Sequence, residues 1–179
     1  DPLGHEARYR NAKLAYYMGD FEWAQVQFDV LKASTSKLIS NDAIDMSVFI
    51  MDNLGLDTNE VALMKFARAD LFRVQQQYDS SLLLLREIKL EFPDHELLDD
   101  VIYREANIFR ESGLLEKAIE RYNYLIENYP EAIKTDNALF ELADLYDHVL
   151  GEKEKASELY EKLFIDYDSS TFAVEARKR

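Results

Sequence analysis

The sequence predicts an all-α chain: an α-α superhelix of about four helix hairpins with one inserted helix. Three observations carry that expectation. Apolar residues recur at helical spacing along the whole length. Only 5 Gly and 3 Pro occur in 179 residues, too few for the many turns of an all-β fold. Small residues also return at a fixed offset between paired helical stretches, as in stacked hairpins that cannot bury their apolar faces alone.

The elements follow in order. His5 to Met18 forms a first helix with Tyr9, Ala12 and Tyr16 on one stripe, and Gly19-Asp20 turns the chain. Phe21 to Ala33 is its partner, expected to bury Trp23, Ala24, Phe28 and Leu31. A polar stretch follows. An extended Ser34 to Ile39, six residues, reaches about 20 Å and carries the chain back along its preceding helix, preserving the up-down alternation. Ser40 or Asn41 is placed to cap an extra helix through its side-chain oxygen. That helix covers Ala43 to Asn53, with Ile44, Val48 and Met51 on one face and Gly55 closing it. Asn59 to Gln77 is helical around Leu63, Phe66, Ala69, Leu71 and Phe72, with a turn at Tyr78-Asp79. Ser80 to Glu91 is apolar on nearly every side at Leu82 to Leu85, which predicts burial between layers.

Asp99 to Pro130 is the clearest hairpin. Ile102, Ala106 and Phe109 share one face, as do Ala118, Tyr122 and Leu125. Gly113 ends the first helix by taking positive φ, and Pro130 stops the second because it donates no helical hydrogen bond. Ala106 and Ala118 permit close approach. Thr135 to Val149 and Glu152 to Tyr167 form the last hairpin, after which Ser170 or Thr171 caps a short final helix.

The register repeats. Ala118-x3-Tyr122 is followed by Pro130, and Ser81-x3-Leu85 by Pro93 at the same distance. Ala156-x3-Tyr160 runs to Asp168, and Ala24-x3-Phe28 is a fourth copy. The first-helix small residue lies twelve before the second-helix one at Ala12, Ala69 and Ala106, but Ala143 lies thirteen before Ala156. The extra residue is expected in the turn HVLGEKEK. These motifs resemble the tetratricopeptide repeat family, A-x3-F…P, over most of the chain. None of the copies has the family's Trp-Leu-Gly opening. The copies are long, 37 residues from Ser81 to Ala118 and 38 from Ala118 to Ala156, against about 34 in the family. Long repeats ending FPD or YPE are similar to bacterial envelope tetratricopeptide proteins, which implies a periplasmic or cell-envelope setting. Residues 1–179 are therefore expected to form one solenoid, with repeats at 5–34, 58–93, 95–130 and 134–168 and an extra helix at 40–54. The abrupt start and the charged EARKR end read as a piece cut from a longer protein.

The resemblance implies that first helices line a concave face through their fifth, ninth and twelfth positions. The fifth gives Tyr9, Phe66, Tyr103 and Phe140, all aromatic. The ninth gives Lys13, Asp70, Asn107 and Asp144, and the twelfth Tyr16, Arg73, Arg110 and Asp147. Asn107 coincides with the Asn that clamps a peptide backbone in some members. The clamp's basic residues do not recur, so an acidic C-terminal tail is not the expected ligand. The aromatic row either packs on the next repeat or forms flat contacts in a peptide groove.

The net charge of −14 disfavours nucleic acid or an anionic membrane as partner, because phosphate repels such a surface. It suits a basic protein or peptide, or a solvated acidic surface. No run of about 18 apolar residues spans a membrane. Zero Cys removes disulfides and thiolate metal sites. His95-Glu96 opens like a zincin motif, but Asp99 stands where the second His belongs. Asp57-x-Asn59 lacks the Gly and closing Glu of a calcium loop. Asp94, Glu96, Asp99 and Asp100 suit a helix start, where acids favour the macrodipole. No cofactor, metal or catalytic residue is expected. The chain reads as a non-enzymatic protein-binding scaffold, with a self-association module of a larger envelope protein, or a glycan-stacking surface, as the alternatives.

Overall fold

The computed structural model describes residues 2–34, 36–54, 60–168, 170 and 172–177. Ten α-helices and one π-helical stretch account for the ordered elements among them: α1 Pro2–Met18, α2 Phe21–Leu31, α3 Lys37–Leu54, α4 Val61–Val74, α5 Tyr78–Glu91, α6 Leu98–Glu111, α7 Leu115–Asn128, α8 Thr135–Asp144, a π-turn Leu145–Leu150, α9 Lys153–Asp166 and α10 Ala173–Ala176. The chain is all-helical, as the periodicity predicts. It divides into two compact units, Asp1–Leu97 and Leu98–Arg179.

In the first unit, α1 pairs with α2 and α4 with α5. Gly19 closes the first hairpin at φ +82, a conformation costly for any residue with a Cβ. The side chain of Asp20 accepts from the backbone N–H of Trp23 at 3.4 Å. Ala12 and Ala24 are both fully buried where the two helices meet. The second hairpin places Ser81 at the position held by Ala elsewhere. Its hydroxyl donates to the carbonyl of Ala69 at 2.7 Å, so one small residue clasps its counterpart and no buried hydroxyl is stranded. Lys65 joins α4 to Glu87 and Glu91 of α5, at 2.9 and 2.6 Å.

Several expectations for this unit are corrected. Trp23 is 44% exposed. The buried stripe of α2 is Phe21, Ala24, Phe28 and Leu31, and Trp23 lies about 100° around the helix from Ala24. The link after α2 is not an extended strand. α3 begins at Lys37 and packs on α2. Two serines fasten the helices: Ser40, in the stretch that reads as a polar break, donates to the Lys32 carbonyl at 2.6 Å, and Ser47, inside the expected helix, donates to Asp29 at 2.8 Å. The cap is Ser36, whose hydroxyl accepts from the Ile39 N–H at 3.5 Å. The inward face of α3 is Ile39, Ala43, Ser47, Ile50 and Asn53, while Ile44 and Met51 are exposed. Small Ala43 and Ser47 let α2 approach, and that contact outweighs the apolar content of the neighbouring stripe. Gly55, Asp57, Asn59 and Thr171 lie outside the described residues. The turn before α5 is Gln75–Gln77, with Gln76 at φ 59, so α5 starts at Tyr78. α5 is not sandwiched: Ser81, Leu85 and Ile88 are buried, while Leu83 is 58% exposed and Leu90 is exposed too.

The second unit is the template hairpin and its successor. Ala106 meets Ala118 in a core with Tyr122, Leu125, Ala138, Leu142, Ala143, Tyr160 and Leu163. Gly113 has φ +78. Thr135 at the start of α8 donates to the Tyr129 carbonyl at 2.5 Å, and Tyr167 after α9 reaches the Pro130 carbonyl at 2.8 Å. Pro130 thus stops α7 and also anchors the end of the next hairpin. The residue that makes the last spacing thirteen is absorbed in the π-turn Leu145–Leu150 rather than in the connection. A π-turn holds one residue more per turn, and Gly151 then ends it at φ 70. The Ser170 hydroxyl accepts from the Phe172 N–H at 3.1 Å ahead of α10.

Candidate functional site

The ten candidate residues fall in two sets, one in each unit. In the first unit, Tyr9 is half-buried on α1. Its ring meets Phe28 edge-on, with centroids 5.9 Å apart. Burial, then the carboxylate of Asp42 on α3, push its phenol far above the ordinary tyrosine range. The Lys13 ammonium stands 5.9 Å over Tyr9 and 5.6 Å over Tyr17, distances at which a cation is attracted to a ring face. Phe66 is only 1% exposed and packs on Phe49 of α3 at 5.1 Å. Asp70 is buried and accepts from the Tyr16 hydroxyl at 3.1 Å. Arg73 is half-buried in the last turn of α4.

In the second unit, Tyr103 packs on Tyr122 at 6.3 Å, and burial raises its pKa. Asn107 accepts from the Tyr122 hydroxyl at 2.7 Å and also bonds the Tyr103 side chain. Arg110 reaches across to α8, where its two terminal nitrogens bind Glu141 and, at 2.6 Å, Asp144. The other Asp144 oxygen lies 2.9 Å from Nδ1 of His148 in the π-turn. Asp147 pairs with Lys153. Phe140 stacks on Phe172 at 4.8 Å and tilts against Tyr160 at 5.9 Å.

Two regularities emerge. The fifth-position aromatic packs on the last residue of the A-x3-F motif in its own hairpin at Tyr9–Phe28, Tyr103–Tyr122 and Phe140–Tyr160. In the 58–93 repeat that residue is Leu85, and Phe66 turns to Phe49 instead. The twelfth position of one first helix binds the ninth position of the next within each unit, through Tyr16–Asp70 and Arg110–Asp144. Tyr9, Tyr103 and Phe140 of the aromatic row therefore serve packing inside the hairpin, Phe66 serves packing on α3, and part of the polar row serves stacking between hairpins.

Sequence reasoning missed Phe49, Asp42, Glu141 and His148. Phe49 and Asp42 sit on α3, which carries no repeat register. The thirteen-residue spacing was the available signal for the π-turn that presents His148. Among the described residues no group of three or more His, Asp and Glu is arranged to hold a metal ion. Nor is any helix among them long and apolar enough to cross a membrane.

The tetratricopeptide repeat family model matches residues 100–132 and 137–170, the two hairpins of the second unit. No curated protein matches the chain at a significant level.

Proposed function

We propose that this chain, a tetratricopeptide-repeat protein, is a non-enzymatic scaffold that holds a protein or peptide partner on the face lined by α6 and α8. The observation that carries this reading is the fixing of Asn107. An amide that already accepts from Tyr122 keeps one orientation, so its remaining polar capacity meets a peptide backbone at little entropic cost. Arg110, with Glu141 and Asp144 on it, adds half-buried charges in a defined array. Such groups orient a ligand and set specificity more than they set affinity.

The net charge of −14 favours a basic partner, whose approach it accelerates at low salt. Phe140 takes part as framework under that face; Tyr9, Lys13, Phe66, Asp70 and Arg73 belong to the corresponding first-helix face of the first unit. The long repeats ending Pro93-Asp94 and Pro130-Glu131 support a bacterial envelope setting. The test is affinity for the captured partner, measured for the natural chain and for Asn107→Ala, Arg110→Ala and the exposed control Glu127→Ala. The first two lose roughly tenfold or more with helicity kept, and the control binds as before. Equal affinity in all three variants removes the α6–α8 face from the account.

A further inference from the structure

The residue that ends the A-x3-F motif is Phe28 in α2 and Tyr122 in α7, and both are fully buried. Each meets the fifth-position ring of its own hairpin, Tyr9–Phe28 at 5.9 Å and Tyr103–Tyr122 at 6.3 Å. A bare ring therefore fills this place in a hairpin. Packing accounts for the ring of Tyr122 and leaves its hydroxyl unexplained. A hydroxyl carried into a core costs free energy unless it finds a partner. Here the partner is Oδ1 of Asn107, to which the hydroxyl donates at 2.7 Å from the second helix to the first. Burial pushes the Tyr122 phenol up, so the donated proton stays in place across the neutral range. Tyr103, one turn before Asn107 on α6, bonds the same amide.

An asparagine needs such help to hold one orientation. Its terminal torsion joins an sp3 carbon to a flat amide and has no sharp minimum. Left alone, the amide swings and exchanges the places of its oxygen and nitrogen. Held by phenols from two helices, it keeps its oxygen toward Tyr122. The other ninth-position residues are held differently. Asp70 is bonded by Tyr16 of α1 and Asp144 by Arg110 of α6, both from another first helix. Lys13 lies over two rings of its own helix.

We propose that the Tyr122 hydroxyl is the positioning group of the α6–α8 face: buried beyond a partner's reach, it fixes the Asn107 amide and so sets how tightly that amide holds a partner's peptide backbone. The inference rests on the partner-binding role of that face. Without the hydroxyl, binding must itself order the Asn107 side chain, which weakens it roughly three- to tenfold.

Competition measures this in the native extract. The natural chain with a photoreactive residue in place of Glu111 forms a protein adduct, and unlabelled forms of the chain compete for it. Tyr122→Phe is expected to need roughly three to ten times the concentration of the natural chain, with unchanged circular dichroism. Asn107→Ala needs roughly tenfold or more, and the Asn107→Ala/Tyr122→Phe double variant needs no more than Asn107→Ala, because the hydroxyl acts through the amide. In Tyr122→Phe without partner, 15N relaxation shows the Asn107 side-chain amide gaining motion. Tyr122→Phe competing like the natural chain while Asn107→Ala is weak overturns the positioning role and leaves the face in place. An added loss in the double variant, or an Asn107 amide as rigid in Tyr122→Phe as before, overturns it too. No adduct at 111, or Asn107→Ala competing like the natural chain, removes the face itself and the positioning role with it.

Discussion

At the scale of the residue, small differences in surroundings decide whether an aromatic belongs to a groove or to a core. Tyr103 and Tyr122 show how. Their rings face each other, and burial is the leading cause that raises the pKa of both. Tyr9 is raised for the same leading reason, with Asp42 adding to it. A raised folded-state pKa means that the stabilising contribution is complete below the unfolded value of about 10. It is lost as pH rises through and beyond that value toward the folded-state pKa. Each tyrosine kept protonated steepens the decline by up to roughly 1.4 kcal/mol per pH unit. We therefore expect the thermal midpoint to hold from neutrality to about pH 10 and to fall above it. Tyrosinate absorbance should appear in more than one phase, with the phase of Tyr9, Tyr103 and Tyr122 coinciding with unfolding. A single phase well below the unfolding pH would contradict this packing.

The register carried the identity of these residues but not their use. Spacing placed Tyr9, Tyr103 and Phe140 at equivalent positions. Whether each ring lay open or against its neighbour depended on a residue of the second helix, Phe28, Tyr122 or Tyr160. That pairing is a matter of hairpin closure, which periodicity alone does not measure. Phe66 could not be read from its own repeat at all, because its partner Phe49 lies on α3.

At the scale of the element, the informative failures are α3, α5 and the π-turn. Each arose where a local pattern competed with tertiary contact. Leu82 to Leu85 looked apolar all round, yet only Leu85 of the four is fully buried. Leu85→Ala should cost about 2–5 kcal/mol through lost burial and a residual cavity. Leu83→Lys should stay within about 0.5 kcal/mol of the natural chain. Denaturant unfolding of the two variants checks the contrast, and equal losses would mean that α5 is covered on both sides after all. The extra residue between Ala143 and Ala156 offers a second check. Deleting exposed Val149 restores the twelve-residue offset of the other hairpins, and α8 should then continue as regular α-helix. The variant should remain folded, with Leu145 buried and the Arg110–Asp144 pair kept. A crystal structure or amide exchange across 141–152 decides it, and global unfolding would show that the π-turn is required by the core. Ser40 and Ser47 teach the complementary lesson. Ser40 lies in the stretch that reads as a break and Ser47 inside the expected helix, yet both are hydrogen-bonding groups that fasten α3 onto α2, a role that composition does not reveal.

At the scale of the whole molecule, the all-helical class and the hairpin order were legible because they rest on many weak signals that agree. The four copies of the small-residue register, with Gly19, Gly113 and Gly151 at positive φ, state the same architecture independently. The matched repeats lie wholly in the second unit, where the pattern is most regular. The first unit departs from it by one inserted helix, and there the sequence expectations needed most correction.

The central claim is that the first-helix face of the second unit binds a protein partner. Site-specific photo-crosslinking in the native extract tests it whatever the identity of that partner. One photoreactive residue replaces Glu111, exposed beside Arg110, and another replaces Glu127, exposed on α7. The account predicts one dominant protein adduct from position 111, competed by unlabelled chain, and none from position 127. Adducts of equal yield from both positions, or from 127 alone, would contradict it.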